Sequence, residues 1–408
     1  MDVSNLNMTP SSERVHIVFM GRMNSGKSSL INALTGQHTS IVSEVRGTTT
    51  DPVRKAMEIN GIGPCVLVDT AGFDDTGELG EKRAEKAANA ADLADIVVMT
   101  ICDNDVSLEK QWYDRLMKKG IPVIIAITKT DLDAFDDETV KSIEQIFNSK
   151  PVITSVVNNL GVDELLRRLV LVSKDNVKER FITGNLVSAG DVVLLIMPQD
   201  IQAPKGRLIL PQVQTIRELL DRGCIVISTT AEKMKEAIGS LKEAPKLVIT
   251  DSQVFKKVYD IKPEESMLTS FSTLFAAYKG DIDAYVNGAE NIQSLTKESK
   301  VLIAECCTHA PMQEDIGRVK IPGLLRKRFG ETIQIDVVSG MDFPEDLSSY
   351  DLIIQCGACM FNRRYVMSRI ERAKEADVPI TNYGIAIAWL NGILDKIELP
   401  KGNNLDNG

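Results

Sequence analysis

Cys307, Thr308 and His309 are answered almost fifty residues later by Cys356, Gly357, Ala358 and Cys359. Three thiols and an imidazole arriving from two distant segments form a metal donor set. Zinc takes Cys₃His as a closed structural site, whereas an iron-sulfur cluster takes thiolates and here finds few spare ones for its fourth position. The same chain opens with Gly21-Arg22-Met23-Asn24-Ser25-Gly26-Lys27-Ser28, a complete phosphate-binding loop. In such a loop the glycines turn backbone N–H groups inward, Lys27 reaches the β and γ oxygens, and the Ser28 hydroxyl holds Mg²⁺. Gly21, Asn24, Ser25, Gly26 and Ser29 complete the predicted cradle. A nucleotide and a metal therefore share one chain.

The elements that would position the loop surround it. Residues 15–20 are a short apolar run, and residues 27–34 have helical spacing, which gives strand, glycine loop and helix. Residues 47–51, Gly-Thr-Thr-Thr-Asp, are a hydroxyl-rich segment of the kind that closes over a γ-phosphate; Thr48 and Thr49 are its candidate contacts, Thr49 as a second Mg²⁺ ligand. An apolar strand at 65–68 ends in Asp69-Thr70-Ala71-Gly72, where the aspartate can hold Mg²⁺ through water and the Gly72 N–H can touch the γ-phosphate. Buried-type strands follow at 95–101 and 121–127. The second ends in Thr128-Lys129-Thr130-Asp131, which places Asp131 to accept from guanine N1 and its exocyclic amine. Lys27, Asn24, Asp69 and Gly72 are the candidate catalytic residues.

Together these segments resemble the five nucleotide motifs of the translation-factor-related GTPases, nearest to the tRNA-modification and ribosome-assembly members. Two positions depart from the pattern. Thr128 stands where Asn is usual, and Ser155-Val156 stands where Ser-Ala is usual, so Lys129 and Asp131 carry guanine selectivity. Phe73 occupies the place at which Ras-like enzymes have a water-orienting Gln. In the tRNA-modification relatives an Asn at the place of Asn24 binds potassium, and the resemblance implies the same ion here; the alternative is that Asn24 only tolerates a loop conformation.

Composition bounds the rest. The chain has 408 residues, 43% apolar and 25% charged, which suits a folded protein of two or three domains. A net charge of -10 with no long Lys/Arg run offers no generic footprint for nucleic acid or anionic membrane. Residues 1–14 lack an apolar core of signal-peptide length, and the expected location is cytoplasmic. Seven scattered cysteines argue for metal or core uses in a reducing compartment.

The predicted fold class is α/β in three domains: a P-loop GTPase fold over 1–175, then two smaller parallel-sheet domains over 186–262 and 263–400. A helix at 162–172 closes the first, and polar residues 173–185 read as a linker. The middle domain alternates strands at 191–197, 224–228 and 246–250 with helices at 212–221 and 231–240, and has no catalytic cluster. Its open sheet edge suits pairing with a second copy, with a monomeric spacer as the alternative. The last domain begins with helical sequence at 267–285. Strands at 301–304, 332–338 and 351–355 then alternate with helices near 315–329 and at 363–376. Both cysteine segments fall just after strands, so both reach the carboxyl rim where open parallel sheets bind ligands.

The order GTPase, small α/β domain, Cys-x-His and Cys-x-x-Cys resembles the HydF family of GTPases that mature iron-iron hydrogenase, over nearly the full chain. The resemblance implies a 4Fe-4S cluster on Cys307, Cys356 and Cys359, with His309 matching the family histidine. It further implies a homodimeric scaffold that receives a di-iron precursor from radical-SAM maturases and delivers it to apo-hydrogenase. Gln355 stands where many members have a second His. Cys306 is out of register and reads as packed; Cys65, Cys102 and Cys224 read as core residues. Two other readings stand beside the scaffold: an RNA-directed GTPase of the tRNA or ribosome type, and a zinc-stabilised regulatory GTPase.

Overall fold

The structure is a computed structural model that describes residues 10–37, 43–45, 52–74, 78–132, 135–176, 180–198, 208–306, 316–340, 342–358 and 361–400. They fall into two compact units, Met1–Lys178 and Glu179–Gly408. No helix among the described residues is long and apolar enough to cross a membrane.

The first unit is built on a sheet ordered β2-β3-β4-β1-β5-β6-β7. Its strands are β1 (Val15–Gly21), β2 (Ser43–Val45), β3 (Val53–Ile59), β4 (Gly63–Asp69), β5 (Ile96–Ile101), β6 (Val123–Ile127) and β7 (Val152–Ile153). β1 lies between β4 and β5 and parallel to both, with Val18 opposite Val68 on one side and Val97 on the other. Helices cover both faces, so the strand is apolar on both faces and its residues 16–21 are all buried. β3 and β4 form an antiparallel hairpin, an element the apolar pattern did not reveal because Val53 to Lys55 face outward or are only half-buried. Since the chain builds to one side of β1 and then to the other, a topological switch point opens at its carboxyl end. The phosphate loop leaves the sheet there.

One buried base gives this unit a pH signature. His16 is 4% exposed, and burial lowers its pKa from 6.5 to about 4. The unfolded chain therefore takes up the proton between those values and the folded one does not, so stability is full above pH 6.5 and falls as pH drops towards 4. The expected loss is about 3 kcal/mol. Urea denaturation of the first unit followed by tryptophan fluorescence at stepped pH should show that slope, and His16→Gln should flatten it.

The second unit holds two parallel four-stranded sheets among its described residues. The first, ordered β11-β10-β8-β9, comprises β8 (Val192–Ile196), β9 (Ile225–Thr229), β10 (Leu247–Thr250) and β11 (Met267–Ser270). The second, ordered β13-β12-β14-β15, comprises β12 (Lys300–Ala304), β13 (Gln334–Val338), β14 (Leu352–Gln355) and β15 (Ile380–Asn382). The α/β fold class and its parallel sheets agree with the sequence reading.

Three local expectations are corrected. The helix predicted over 267–285 begins as strand β11. It continues as two helices, Phe271–Lys279 and Ile282–Glu290, broken at Gly280, where a Cβ would lie 2.4 Å from the Tyr285 ring. Ser270 caps the first helix by accepting from the Thr273 N–H at 3.2 Å. The predicted linker 173–185 is also partly built in. Its start continues the helix Val162–Asn176, and Thr183 beyond it is fully buried, donating from its N–H and hydroxyl to Glu218 at 2.9 and 2.6 Å. Finally, β15 and the helix Tyr383–Leu390 complete the last sheet beyond the expected elements. A three-residue strand is too short to show a period.

The chain's final described segment returns to the first sheet. Ala388 and Ile397 are buried in one cluster with Leu194, Ile196, Val248, Phe255 and Leu268, and Ile393 and Leu394 pack against it. The Glu398 N–H donates to the Leu268 carbonyl at 2.8 Å, and the Thr269 hydroxyl donates to the Glu398 carbonyl at 2.8 Å. The terminal segment thus completes the first sheet's core. A fragment of residues 188–260, lacking β11 and this cover, is expected to show no cooperative thermal transition, whereas 180–400 should unfold in one step by calorimetry.

Candidate functional site

In the first unit the loop after β1 is held from beneath. Gly21 passes so close to β5 that a Cβ would lie 2.2 Å from Thr100 Oγ1. The Ser25 side chain is fully buried and shares a 2.7 Å hydrogen bond with Thr100 Oγ1. Ser25 was expected to touch the nucleotide; its hydroxyl instead fixes the loop to the sheet, leaving the backbone to face a phosphate. Asn24 has φ 59°, a left-handed conformation that asparagine adopts more readily than most residues. Its side chain is exposed, as are Ser28 and Ser29 at the start of the helix Lys27–Gln37.

Lys27 is 6% exposed, and its Nζ donates to the carbonyls of Gly21 at 3.1 Å and Arg22 at 2.7 Å. Burial holds its pKa below the usual lysine range, while Asp69 opposes that shift. Ser28 Oγ donates to Asp69 Oδ2 at 2.5 Å. Burial pushes the Asp69 pKa up, and its other oxygen, Oδ1, is buried with no hydrogen-bond partner. A hydroxyl and a carboxylate in contact, one oxygen still unsatisfied, fit the hard oxygen set that Mg²⁺ takes. Gly72 lies against the loop, since a Cβ there would be 2.4 Å from the Met23 nitrogen. That nitrogen donates to Asp74 Oδ1 at 2.6 Å. Phe73 turns inward, 7% exposed, and stacks on Trp112 with centroids 5.6 Å apart, so nothing at this position orients water. Thr48 and Thr49 lie outside the described residues.

At the base end, Lys129 has φ 57°, and Asp131 Oδ1 accepts from Ser155 Oγ at 2.7 Å. Ser155 thereby orients the Asp131 carboxylate, and Val156 beside it is exposed. Thr128 does more than replace a base contact. Its hydroxyl is buried and lies 2.6 Å from the Ser25 carbonyl and 3.2 Å from the Ile101 carbonyl, which ties the base-binding turn to the phosphate loop. Thr128→Val keeps the shape and deletes this bond. It is expected to weaken GTP binding about tenfold, the equivalent of about 1.4 kcal/mol, measurable by titration of a fluorescent GTP analogue.

Sequence reasoning missed a second anchor. Arg22 Nε donates to Glu109 Oε1 at 2.9 Å and its NH2 to the Asp105 carbonyl at 2.6 Å. Glu109 is 2% exposed and raises the Arg22 pKa. The pair lies 87 residues apart, beyond any local pattern.

In the second unit Cys356 leaves the carboxyl end of β14 beside the end of β12, the switch point of its sheet. Its Sγ accepts from the Cys306 N–H at 3.0 Å and the Ala358 N–H at 3.4 Å. The Cys306 thiol, hydrogen-bonded to it, holds its pKa below the usual thiol range against the effect of burial. Two backbone donors aimed at one sulfur, with Ala358 at φ 47°, suit an anionic, metal-bound thiolate. Cys306 is 4% exposed, packed as expected. Gln355 is 1% exposed and its amide is hydrogen-bonded to the Tyr285 hydroxyl, so it turns into the core. Cys65 and Cys224 are buried, but Cys102 is half-buried at the end of β5 rather than a core residue. Cys307, His309 and Cys359 lie outside the described residues, and among the described residues no group of three or more His, Cys, Asp or Glu gathers as a metal set.

Family models match three stretches: a 50S ribosome-binding GTPase over residues 16–129, the hydrogen maturase F dimerization domain over 182–280, and the hydrogen maturase F tetramerization domain over 283–399. Among curated proteins the chain is 38% identical over 164 residues to the tRNA modification GTPase MnmE of Hamiltonella defensa, covering 38% of this chain and 35% of that protein. It is 30% identical over 206 residues to MnmE of Lachnoclostridium phytofermentans, covering 49% and 42%. The chain thus spans well under half the length of these relatives, whose similarity reflects the GTPase domain. Among solved structures, the G domain of the T. maritima FeoB iron transporter matches 40% of this chain and 99% of that one, at 24% identity and a TM-score of 0.31. With a P-loop GTPase domain followed by both oligomerization domains of hydrogen maturase F, the chain belongs to the HydF family of hydrogenase-maturation GTPases.

Proposed function

We propose that the protein is a GTP-hydrolysing scaffold that binds a 4Fe-4S cluster through Cys307, Cys356 and Cys359, with His309 at or beside the fourth position. It assembles or delivers the di-iron precursor of the iron-iron hydrogenase active site. The observation that carries this reading is the backbone cradle around Cys356 Sγ at the β12/β14 rim, inside the stretch matched by a hydrogen maturase F model. A bound cluster supplies an iron at which a precursor can dock; the chain's own part is to hold the thiolates and leave that iron accessible. The domains act as GTPase over 1–175, dimerisation over 186–262 with β11 completing its sheet, and cluster binding over the remainder of 263–400. Radical-SAM maturases and apo-hydrogenase are the partners, in the cytoplasm. The test is purification without oxygen. A brown protein containing iron and sulfide supports the scaffold, whereas a colourless protein containing zinc replaces it with a structural metal site.

The GTPase half of the proposal includes potassium at Asn24. Its support is the buried Phe73, which leaves the γ-phosphate side without a water-orienting amide, and the exposed side chain of Asn24. Replacing sodium by potassium at equal ionic strength is expected to raise GTP turnover at least about tenfold, a small part of the 10³–10⁵ that an arginine finger supplies. Asn24→Ala should abolish the rise. Equal rates in both salts leave Asn24 with its conformational role alone.

A further inference from the structure

Arg369, in the helix Arg363–Glu375, is 1% exposed and is the largest fully buried side chain among the described residues. A guanidinium keeps its charge in proteins, and a buried charge is costly unless something compensates it. No carboxylate pairs with Arg369 among the described residues. Its NH2 donates to the Gly340 carbonyl at 2.7 Å and lies 2.8 Å from the Tyr365 hydroxyl. The rings of Phe343 and Tyr365 lie 4.8 and 4.7 Å from its central carbon. Its Nε is buried with no hydrogen-bond partner. The remaining contact is NH1 to Cys306 Sγ at 3.3 Å. Two rings, a carbonyl and a phenol are partners for a cation, but none carries the opposite charge. The neighbouring carboxylate, Glu305, is already paired with Arg318 at 3.0 Å.

The sulfur side supplies what is missing. Cys306, held by Arg369 through its side chain, donates its own N–H to Cys356 Sγ. A second buried cation, Lys279, 3% exposed, holds the turn that follows Cys356, donating to the Ala358 carbonyl at 3.1 Å and the Phe361 carbonyl at 3.0 Å. Two buried cations therefore serve one cysteine site, one from the helix Arg363–Glu375 through Cys306 and one from the end of the helix Phe271–Lys279 through the Ala358 carbonyl.

We propose that Arg369 is a positioning residue that balances the charge of a net-anionic iron-sulfur ligand at the β12/β14 rim and eases that ligand's reduction. The inference rests on the cluster reading above and deepens it. Reduction adds one electron, and hence one negative charge, to a centre already surrounded by thiolates. A fixed cation reached through Cys306 stabilises the reduced form more than the oxidised one. Its loss must then lower the reduction potential without removing a ligand.

The test uses the full chain reconstituted without oxygen from ferrous iron and sulfide, as wild type, Arg369→Lys and Arg369→Gln. Iron content is measured first; the reduced fraction is then read by EPR at one potential poised with mediators. The lysine variant keeps the charge and should stay within about threefold of wild type. The glutamine variant keeps hydrogen bonding but not charge, and its reduced-to-oxidised ratio should fall about tenfold, equivalent to 59 mV for a one-electron couple. A merely structural arginine would change the melting temperature of both variants and leave the ratio alone. If both variants hold iron and match the wild-type ratio, or if both fail to hold iron, the role assigned to Arg369 is overturned. An iron-free, colourless wild type overturns the cluster reading itself and this inference with it.

Discussion

Lys27→Ala should lower GTP turnover by at least about 10³-fold, at the upper end of what removing one preorganised charge-stabilising donor costs. Lys27 is already desolvated, with burial working against its charge and the Asp69 carboxylate for it. Its ammonium rests on the Gly21 and Arg22 carbonyls, at the mouth of the turn where phosphate oxygens would enter. Alanine removes both the charge that offsets the γ-phosphate and the donor that gathers the two carbonyls. The loop should keep its path, because Ser25 to Thr100, Thr128 to Ser25 and Arg22 to Glu109 hold it independently. Phosphate release under saturating GTP measures the effect, with circular dichroism to show that the fold persists. Turnover within tenfold of wild type would mean that this turn is not the phosphate site.

Cys356→Ser should abolish cluster loading altogether, and His309→Ala should reduce it only in part. Serine is a poor ligand for the softer iron of a cluster, and the two N–H donors aimed at Cys356 Sγ are placed for a thiolate. Cys306 does not rescue the loss, since its sulfur is buried and bonded to Arg369. Imidazole is an uncommon cluster ligand, and an open or exchangeable fourth iron is what a scaffold requires. EPR of the reduced protein with and without added imidazole or cyanide examines both points. A spectrum indifferent to added ligands, together with complete loss on removing His309, would describe a closed site with no place to receive a precursor.

What the sequence revealed, it revealed where chemistry is local. A phosphate cradle needs consecutive backbone groups, so residues 21–28 are legible as a word, and so are 69–72 and 128–131. Contacts that tie such words together were not legible. Thr128 to Ser25 spans 103 residues, Arg22 to Glu109 spans 87 and Arg369 to Cys306 spans 63. Each is a polar pair that only the finished sheet brings together. The same limit explains Ser25, whose type suits a nucleotide contact but whose side chain serves Thr100. Met267 to Ser270 reads as helix because four residues carry too little pattern against the apolar helix Phe271–Lys279 that follows. Gln355 shows the converse. Its position in the motif was clear, but its partner, the buried hydroxyl of Tyr285, sits 70 residues upstream.

The return of residues 388–399 to the first sheet bears on how the protein is made. All strands of the GTPase unit lie within the first 178 residues, so that unit can close while the ribosome is still translating the remainder. The second unit has no such freedom. The bond from Thr269 to Glu398 spans 129 residues, and until residues 388–398 have been made, Leu194, Ile196 and Val248 lack their last covering layer. A nascent chain paused anywhere in that interval presents an active GTPase joined to an incomplete, adhesive sheet, the kind of surface on which chaperones act and misassembly begins. The first sheet's core thus closes only after residues 388–397 have been made.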